Sequence, residues 1–188
     1  MLSGRLASVP TSAFQRLNKL IEGIVPETTP LPSGPVILTI GEPQDPTPPF
    51  IAETVHAHAK DFGRYPPILG TQKFRNAVGA WLCRRFGVPT SAIDAEAQIL
   101  PLNGSREGLF HAVFTLVPET KGGGKPIVLI PNPFYVTYPA AVIAAGAEPY
   151  YVPSRAETGF LPDFASVPEP ILRRTVAAFF CTPSNPEG

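Results

Sequence analysis

The sequence predicts an α/β fold in which a mostly parallel sheet is flanked by helices. Three observations carry that expectation. Short apolar runs, beginning with Ile99-Leu100-Pro101-Leu102, alternate with segments whose apolar residues recur at helical spacing. One run, Ile127-Val128-Leu129-Ile130, is apolar at every position, as a strand covered on both faces must be. The runs end in turns rich in Gly, Asn and Pro, at the edge where parallel sheets bind ligands beyond the carboxyl ends of their strands.

Composition narrows the class. A chain of 188 residues with 44% hydrophobic content can bury a sizeable core, and it is not disordered. Fifteen basic residues balance fifteen acidic ones, so no nucleic-acid or anionic-membrane partner is expected. Cys83 and Cys181 lie far apart in apolar segments, which suits buried thiols of a cytoplasmic protein and neither a zinc site nor a disulfide framework. No apolar run reaches membrane-spanning length, and the start lacks the order of a secretory signal. The 25 prolines punctuate the apolar segments and mark loops.

In chain order, Phe14, Leu17, Ile21 and Ile24 give an amphipathic helix over 12–24. Pro26, Pro30, Pro32 and Pro35 then enforce an extended connector, and Val36-Ile37-Leu38-Thr39-Ile40 reads as a short strand. A helix over 50–62 is expected with Ile51 and Val55 inward. His56 and His58, two residues apart on it, face different ways and make no metal pair. The irregular loop 63–70 precedes a helix capped by Thr71, running through Phe74, Val78, Trp81, Leu82 and Phe86 and stopped by Gly87.

The stretch Asn103-Gly104-Ser105-Arg106-Glu107-Gly108-Leu109-Phe110 is the pivot. It reads as strand, tight turn and helix start, where free N–H groups and the positive end of the helix dipole favour a phosphate. Gly104 permits close approach of the backbone, Ser105 adds a hydroxyl, and Arg106 adds a planar charged fork. The blander alternative is that Asn103 or Ser105 simply caps the helix. Lys121-Gly122-Gly123-Gly124-Lys125 is no nucleotide loop, because Glu119 stands where a glycine is required and Pro126 replaces the magnesium-binding hydroxyl; a flexible surface loop is expected. After the strand 127–130 come the loop Pro131-Asn132-Pro133-Phe134-Tyr135, a helix over 138–145 closing on Gly146, and a strand over 149–152. A loop with one helical turn after Leu161, the strand 176–181, and the turn from Thr182 to Gly188 complete the chain.

Five segments, in order, resemble the class I pyridoxal-phosphate aminotransferases of fold type I. They are Ile40-Gly41-Glu42-Pro43, Tyr65 with Gly70 and Phe74-Arg75, residues 103–109, Pro133-Phe134-Tyr135-Val136-Thr137-Tyr138, and Thr182-Pro183-Ser184-Asn185-Pro186-Glu187-Gly188. The wording of 102–110 and 131–151 looks most like the N-succinyldiaminopimelate aminotransferase branch, which implies a role in lysine and diaminopimelate synthesis with 2-oxoglutarate as acceptor. The resemblance implies pyridoxal 5'-phosphate as cofactor. Gly104, Ser105 and Arg106 would hold its phosphate, Tyr135 would stack on its ring, and Asn185 would meet the ring oxygen and the substrate carboxylate. Gly41 would offer a backbone N–H to that carboxylate. Tyr65 would reach the phosphate bound by a partner subunit, which implies a homodimer with shared sites, taking an amino-acid donor and a 2-oxo acid acceptor. For each residue a structural role remains the alternative: a core aromatic at Tyr135, turns at Asn185 and Gly41, a loop tyrosine at Tyr65.

The resemblance further implies that residues 1–48 form an arm, helix and small-domain segment, and 49–188 the amino-terminal part of an incomplete large, cofactor-binding domain. The family's cofactor-bonding lysine lies downstream of the Asn-Pro-x-Gly turn, and no lysine follows Lys125. The chain is therefore expected to be a fragment, inactive alone, of a reading frame that continues. Other class I aminotransferases, acting on alanine, aspartate or aromatic amino acids, are the first alternative, and a non-catalytic module of the same fold is the second. A dinucleotide-binding domain is disfavoured, because no Gly-x-Gly-x-x-Gly follows any expected strand.

Overall fold

The computed structural model describes residues 4, 7, 9, 13–24, 41, 43, 45–185 and 187–188. The expected connector at 25–35 and strand at 36–40 lie outside the described residues. Two compact units are resolved, one of Met1–Val25 with Leu102–Gly188 and the other of Pro26–Pro101.

The first unit is built on β1 (Ile127–Asn132), which pairs in parallel with both β2 (Glu148–Pro153) and β3 (Thr175–Ala178), giving the order β2-β1-β3. Ile127 pairs with Glu148 on one side and with Thr175 on the other. Side chains alternate along β1. Val128 and Ile130 join Val113, Tyr138, Ala141 and Val142 in one core, whereas Ile127 and Leu129 join Val152 and Val167 in another. The first core is covered by α4 (Ser105–Leu116) and α5 (Thr137–Ala144), with Val113 and Val142 fully inward. The second lies under the segment carrying Phe164 and α6 (Glu169–Arg174). Burial on both faces explains why this strand is apolar throughout.

Local chemistry sets the ends of α5. Gly146 takes φ 88° and donates to Ile143 O at 3.0 Å, while Ala147 donates to Val142 O at 3.0 Å. This pair of bonds satisfies the last carbonyls and needs a residue free to enter the left-handed region. The segment 121–125 departs from the expected flexible loop. Lys121 and Gly124 exchange backbone hydrogen bonds of 3.0 and 3.1 Å around Gly122 and Gly123, at φ 57° and 77°. Two adjacent glycines make that tight turn cheap, and Arg174 Nε holds it from α6 by donating to Lys125 O at 2.9 Å. The sequence reading missed α6, although Pro168 before it, Pro170 in its first turn and Arg173 and Arg174 in its last are start and stop signals.

β3 ends at Ala178, with Phe179 N adding one further bond to Leu129 O at 2.9 Å, so it is shorter than the expected run to Cys181. Cys181 is exposed and Cys83 half-buried, which corrects the expectation of two buried thiols. α1 (Ala13–Ile21) forms as expected, but Phe14, Leu17, Ile21 and Ile24 all remain exposed.

In the second unit, α2 (Pro49–Ala57) is followed by a 3-10 turn at Ala59–Gly63, so the expected single helix to Phe62 is broken at His58. Ile51 and Val55 are 43% and 52% exposed, not inward, because the main neighbour of α2 within its unit is that turn. α3 (Gln72–Phe86) matches expectation at both ends: Phe74 N donates to Thr71 Oγ1 at 3.2 Å, and Gly87 closes the helix at φ 65°. Arg75, only 5% exposed, donates through Nη1 to Leu69 O and Gly70 O at 2.6 and 2.9 Å and so pins the loop to α3. The expected strand at 99–102 does not form. Its backbone runs without strand partners, since Pro101 has no N–H to give and its ring is pressed against Gly70.

Replacing Ile130 by alanine removes a wholly buried side chain from the first core and should lower the unfolding free energy by about 2–5 kcal/mol, read from the urea midpoint. Gly122→Ala places a β-carbon 2.7 Å from Arg173 O at positive φ, whereas Gly123→Ala meets open space. The second should cost about 1–2 kcal/mol of backbone strain and the first more, in the same melt.

Candidate functional site

α4 begins at Ser105 behind Gly104, whose φ of 141° and ψ of 152° turn the chain sharply into the helix. No side chain caps this end, so neither Asn103 nor Ser105 plays the bland capping role. The first intrahelical bond runs from Gly108 N to Gly104 O at 3.1 Å, and the N–H groups of Ser105, Arg106 and Glu107 find no acceptor among the described residues. Three donors and the dipole behind them thus face outward. A β-carbon on Gly104 would lie 2.9 Å from Glu107 Oε2, so the Glu107 carboxylate folds back across this end of the helix. A side chain at Gly108 would collide with Leu102, and its absence lets α4 lie close against the extended segment before it.

The opposite wall comes from the loop after β1. It opens with a cis Asn132–Pro133 bond, and the Phe134 ring packs on Tyr151 at 5.2 Å between centroids. Tyr135 is half-buried against the first core. Its ring meets Tyr138 edge-on at 5.6 Å and 86°, and its phenol oxygen accepts a 2.8 Å hydrogen bond from Arg106 Nε. The hydroxyl of buried Thr137 and then the Arg106 guanidinium hold the Tyr135 phenol below the usual tyrosine range, while burial pushes Tyr138 and Tyr151 up. Between the walls lies a groove of about 410 Å³, lined by Arg106, Glu107, Phe110 and His111 on one side and Val136, Thr137 and Ala140 on the other.

The third expected element follows β3. Phe179 stacks on Tyr138 at 4.0 Å and 12°, which ties the end of β3 to the loop after β1. Beyond it Cys181 Sγ donates to Pro183 O at 3.2 Å, Thr182–Pro183 is cis, and Ser184 Oγ donates to the Glu187 carboxylate at 2.8 Å. Asn185 is exposed in this turn and its side chain has no protein partner among the described residues.

The structure therefore joins Arg106 to Tyr135 directly, places Gly104 and Ser105 just before it at the start of α4, and sets Asn185 in the turn beyond the carboxyl end of β3. Only two of the three candidate loops follow strands, because the segment before Asn103 is not one. Gly41 and Tyr65 belong to the second unit. Gly41 is exposed and Tyr65 is 101% exposed beside a shallow hollow of about 240 Å³ formed with Phe62, Gly63 and Arg64. Sequence reasoning gave no role to Thr137, Glu107 or His111. Thr137 had a signal, lying two residues past the key tyrosine at a helix start. No group of three metal-ligating side chains occurs among the described residues, and His58 Nδ1 is engaged with Asp61 at 3.1 Å. No described helix is long and apolar enough to cross a membrane.

Residues 33–188 match the family described as aminotransferase class I and II. The chain is 36% identical to an LL-diaminopimelate aminotransferase of Syntrophobacter fumaroxidans over 98% of its own length and 45% of that protein's. It is 34% identical to the LL-diaminopimelate aminotransferase of Desulforudis audaxviator over 98% and 44%. Among solved structures, an aminotransferase from Neisseria meningitidis superposes with a TM-score of 0.86 at 36% identity, covering 98% of this chain and 45% of that one. The chain spans a little under half the length of these relatives. A parallel sheet flanked by helices, an outward-facing helix start joined to a tyrosine-bearing loop, and a family match over most of the sequence agree: this chain belongs to the aminotransferase class I and II family.

Proposed function

We infer that the protein containing these residues transfers an amino group from an amino acid of the diaminopimelate class to a 2-oxo acid, with 2-oxoglutarate as acceptor. The observation that carries this reading is the junction of the α4 start with the β1 loop through Arg106 and Tyr135, in a chain of this family. The family uses pyridoxal 5'-phosphate. The residues present suit it: three backbone donors without acceptors, a bare α-carbon at Gly104 and an exposed guanidinium make an anion seat, with a flat phenol ring beside it. When bound, that group supplies an electron sink for charge developing on the substrate α-carbon.

In this reading the N–H groups at the start of α4, the Ser105 hydroxyl and Arg106 hold the phosphate, and Tyr135 supports the ring by stacking. Asn185 orients the ring oxygen and, with the Gly41 N–H, the substrate carboxylate. Tyr65 serves the site of a second copy in a homodimer, its full exposure in this chain leaving it free to do so. Residues 1–48 act as arm and small-domain segment, and 49–188 as the first part of the cofactor-binding domain, in a cytoplasmic enzyme of lysine synthesis. The donor proposed here differs from the N-succinyl form suggested by the sequence wording, because the relatives cited carry the name LL-diaminopimelate aminotransferase.

The test is a donor panel on the full-length protein loaded with cofactor. LL-diaminopimelate should discharge the cofactor absorbance and 2-oxoglutarate should restore it, with N-succinyl-diaminopimelate, alanine, aspartate and aromatic amino acids weaker by at least about tenfold. A protein that fails to bind the cofactor would instead be a non-catalytic module. The anion seat has its own test. Glu107→Gln removes a negative charge lying across the helix start and should raise affinity for inorganic phosphate about fivefold, while Arg106→Gln should lower it by about tenfold, both by calorimetry.

A further inference from the structure

We propose that Arg106 is a positioning residue for Tyr135: its Nε fixes the phenol oxygen and thereby where the ring lies in the site, leaving the terminal nitrogens of the same guanidinium for the anion. This rests on the reading that Tyr135 is the ring on which the cofactor lies. Arg106 Nε to Tyr135 Oη is a 2.8 Å hydrogen bond across 29 positions of sequence, joining the first turn of α4 to the loop after β1. The guanidinium carbon stands 6.0 Å from the ring centroid, near the ring and not stacked tightly on it. The ring is otherwise held at one edge by Tyr138, itself stacked on Phe179. Edge contact alone leaves the phenol end of the ring free to swing about the Cα–Cβ bond, and a donor fixed on the phenol oxygen, at the far end of the ring, removes that swing.

Guanidinium chemistry allows the double duty. Its donors are fixed in one plane, so using Nε for the phenol orients the terminal NH2 groups without consuming them. Among the described residues no acceptor engages those terminal groups. A lysine at this position could supply the charge but not the planar fork. Arg106→Lys therefore separates the two duties.

The experiment uses the full-length protein, with tyrosines labelled at the ring carbon bearing oxygen and followed by carbon-13 NMR. The Tyr135 signal is assigned by its loss in Tyr135→Phe. In the cofactor-free protein, Arg106→Lys should keep affinity for inorganic phosphate within about threefold while moving the Tyr135 ionisation to higher pH and broadening its signal; Arg106→Gln should do the same to Tyr135 and lose phosphate affinity as well. In the loaded protein, Arg106→Lys should change the visible circular dichroism of the bound cofactor, the signature of an altered ring orientation. An unchanged Tyr135 titration in both variants overturns the proposal even where cofactor binds normally. Failure of the unsubstituted protein to bind cofactor overturns the functional reading alone, because the cofactor-free titration still decides whether Arg106 holds Tyr135.

Discussion

Everything in the first unit depends on β1 being satisfied on all sides. Its backbone groups are taken up by β2 on one edge and β3 on the other, and its side chains fill two separate cores, Val128 and Ile130 in one and Ile127 and Leu129 in the other. A strand so apolar cannot face water on either surface, and its N–H and C=O groups cannot be left unpaired in the interior. Parallel pairing answers both demands, but it requires every connection to cross over a face. The loops leaving β1 and β3 must then emerge at the same edge.

That geometric consequence is what makes a site available. The β1 loop delivers Tyr135 to the edge, and the aromatic contact of Tyr138 with Phe179 binds the β3 exit beside it. α4 reaches the same place by another route, packed on α5 and kept close to the preceding segment by Gly108. Its uncapped first turn is costly if nothing answers its donors. The Glu107 carboxylate lies near Gly104 but accepts from none of them.

Much of this was legible in the sequence where the cause is local. The helix Gln72–Phe86 was marked at both ends by Thr71 and Gly87, and the all-apolar run at Ile127 announced a doubly covered strand. The Asn-Gly-Ser turn and the Phe-Tyr loop were legible as a pair of candidate walls. What failed depended on partners elsewhere. Periodicity reports that α2 has an apolar face, not whether anything covers Ile51 and Val55. The apolar character of 99–102 suggested a strand, but Pro101 has no donor for a ladder. The bond from Arg106 to Tyr135 spans too many residues for any spacing rule to reveal, and so its guanidinium was read only as a phosphate ligand.

The pairing pattern also bears on the order of assembly. Ile127 meets Glu148 across the single crossover through α5, but meets Thr175 only after a stretch more than twice as long. Chain entropy distinguishes the two closures by only about 0.6 kcal/mol per doubling of length, so the penalty for adding β3 is small. During synthesis, however, the distinction is one of time: β1, α5 and β2 exist as a unit well before β3 has been made. Until it arrives, the most apolar strand in the unit keeps one edge open, and this interval is when a nascent chain of this design is most exposed to misassociation.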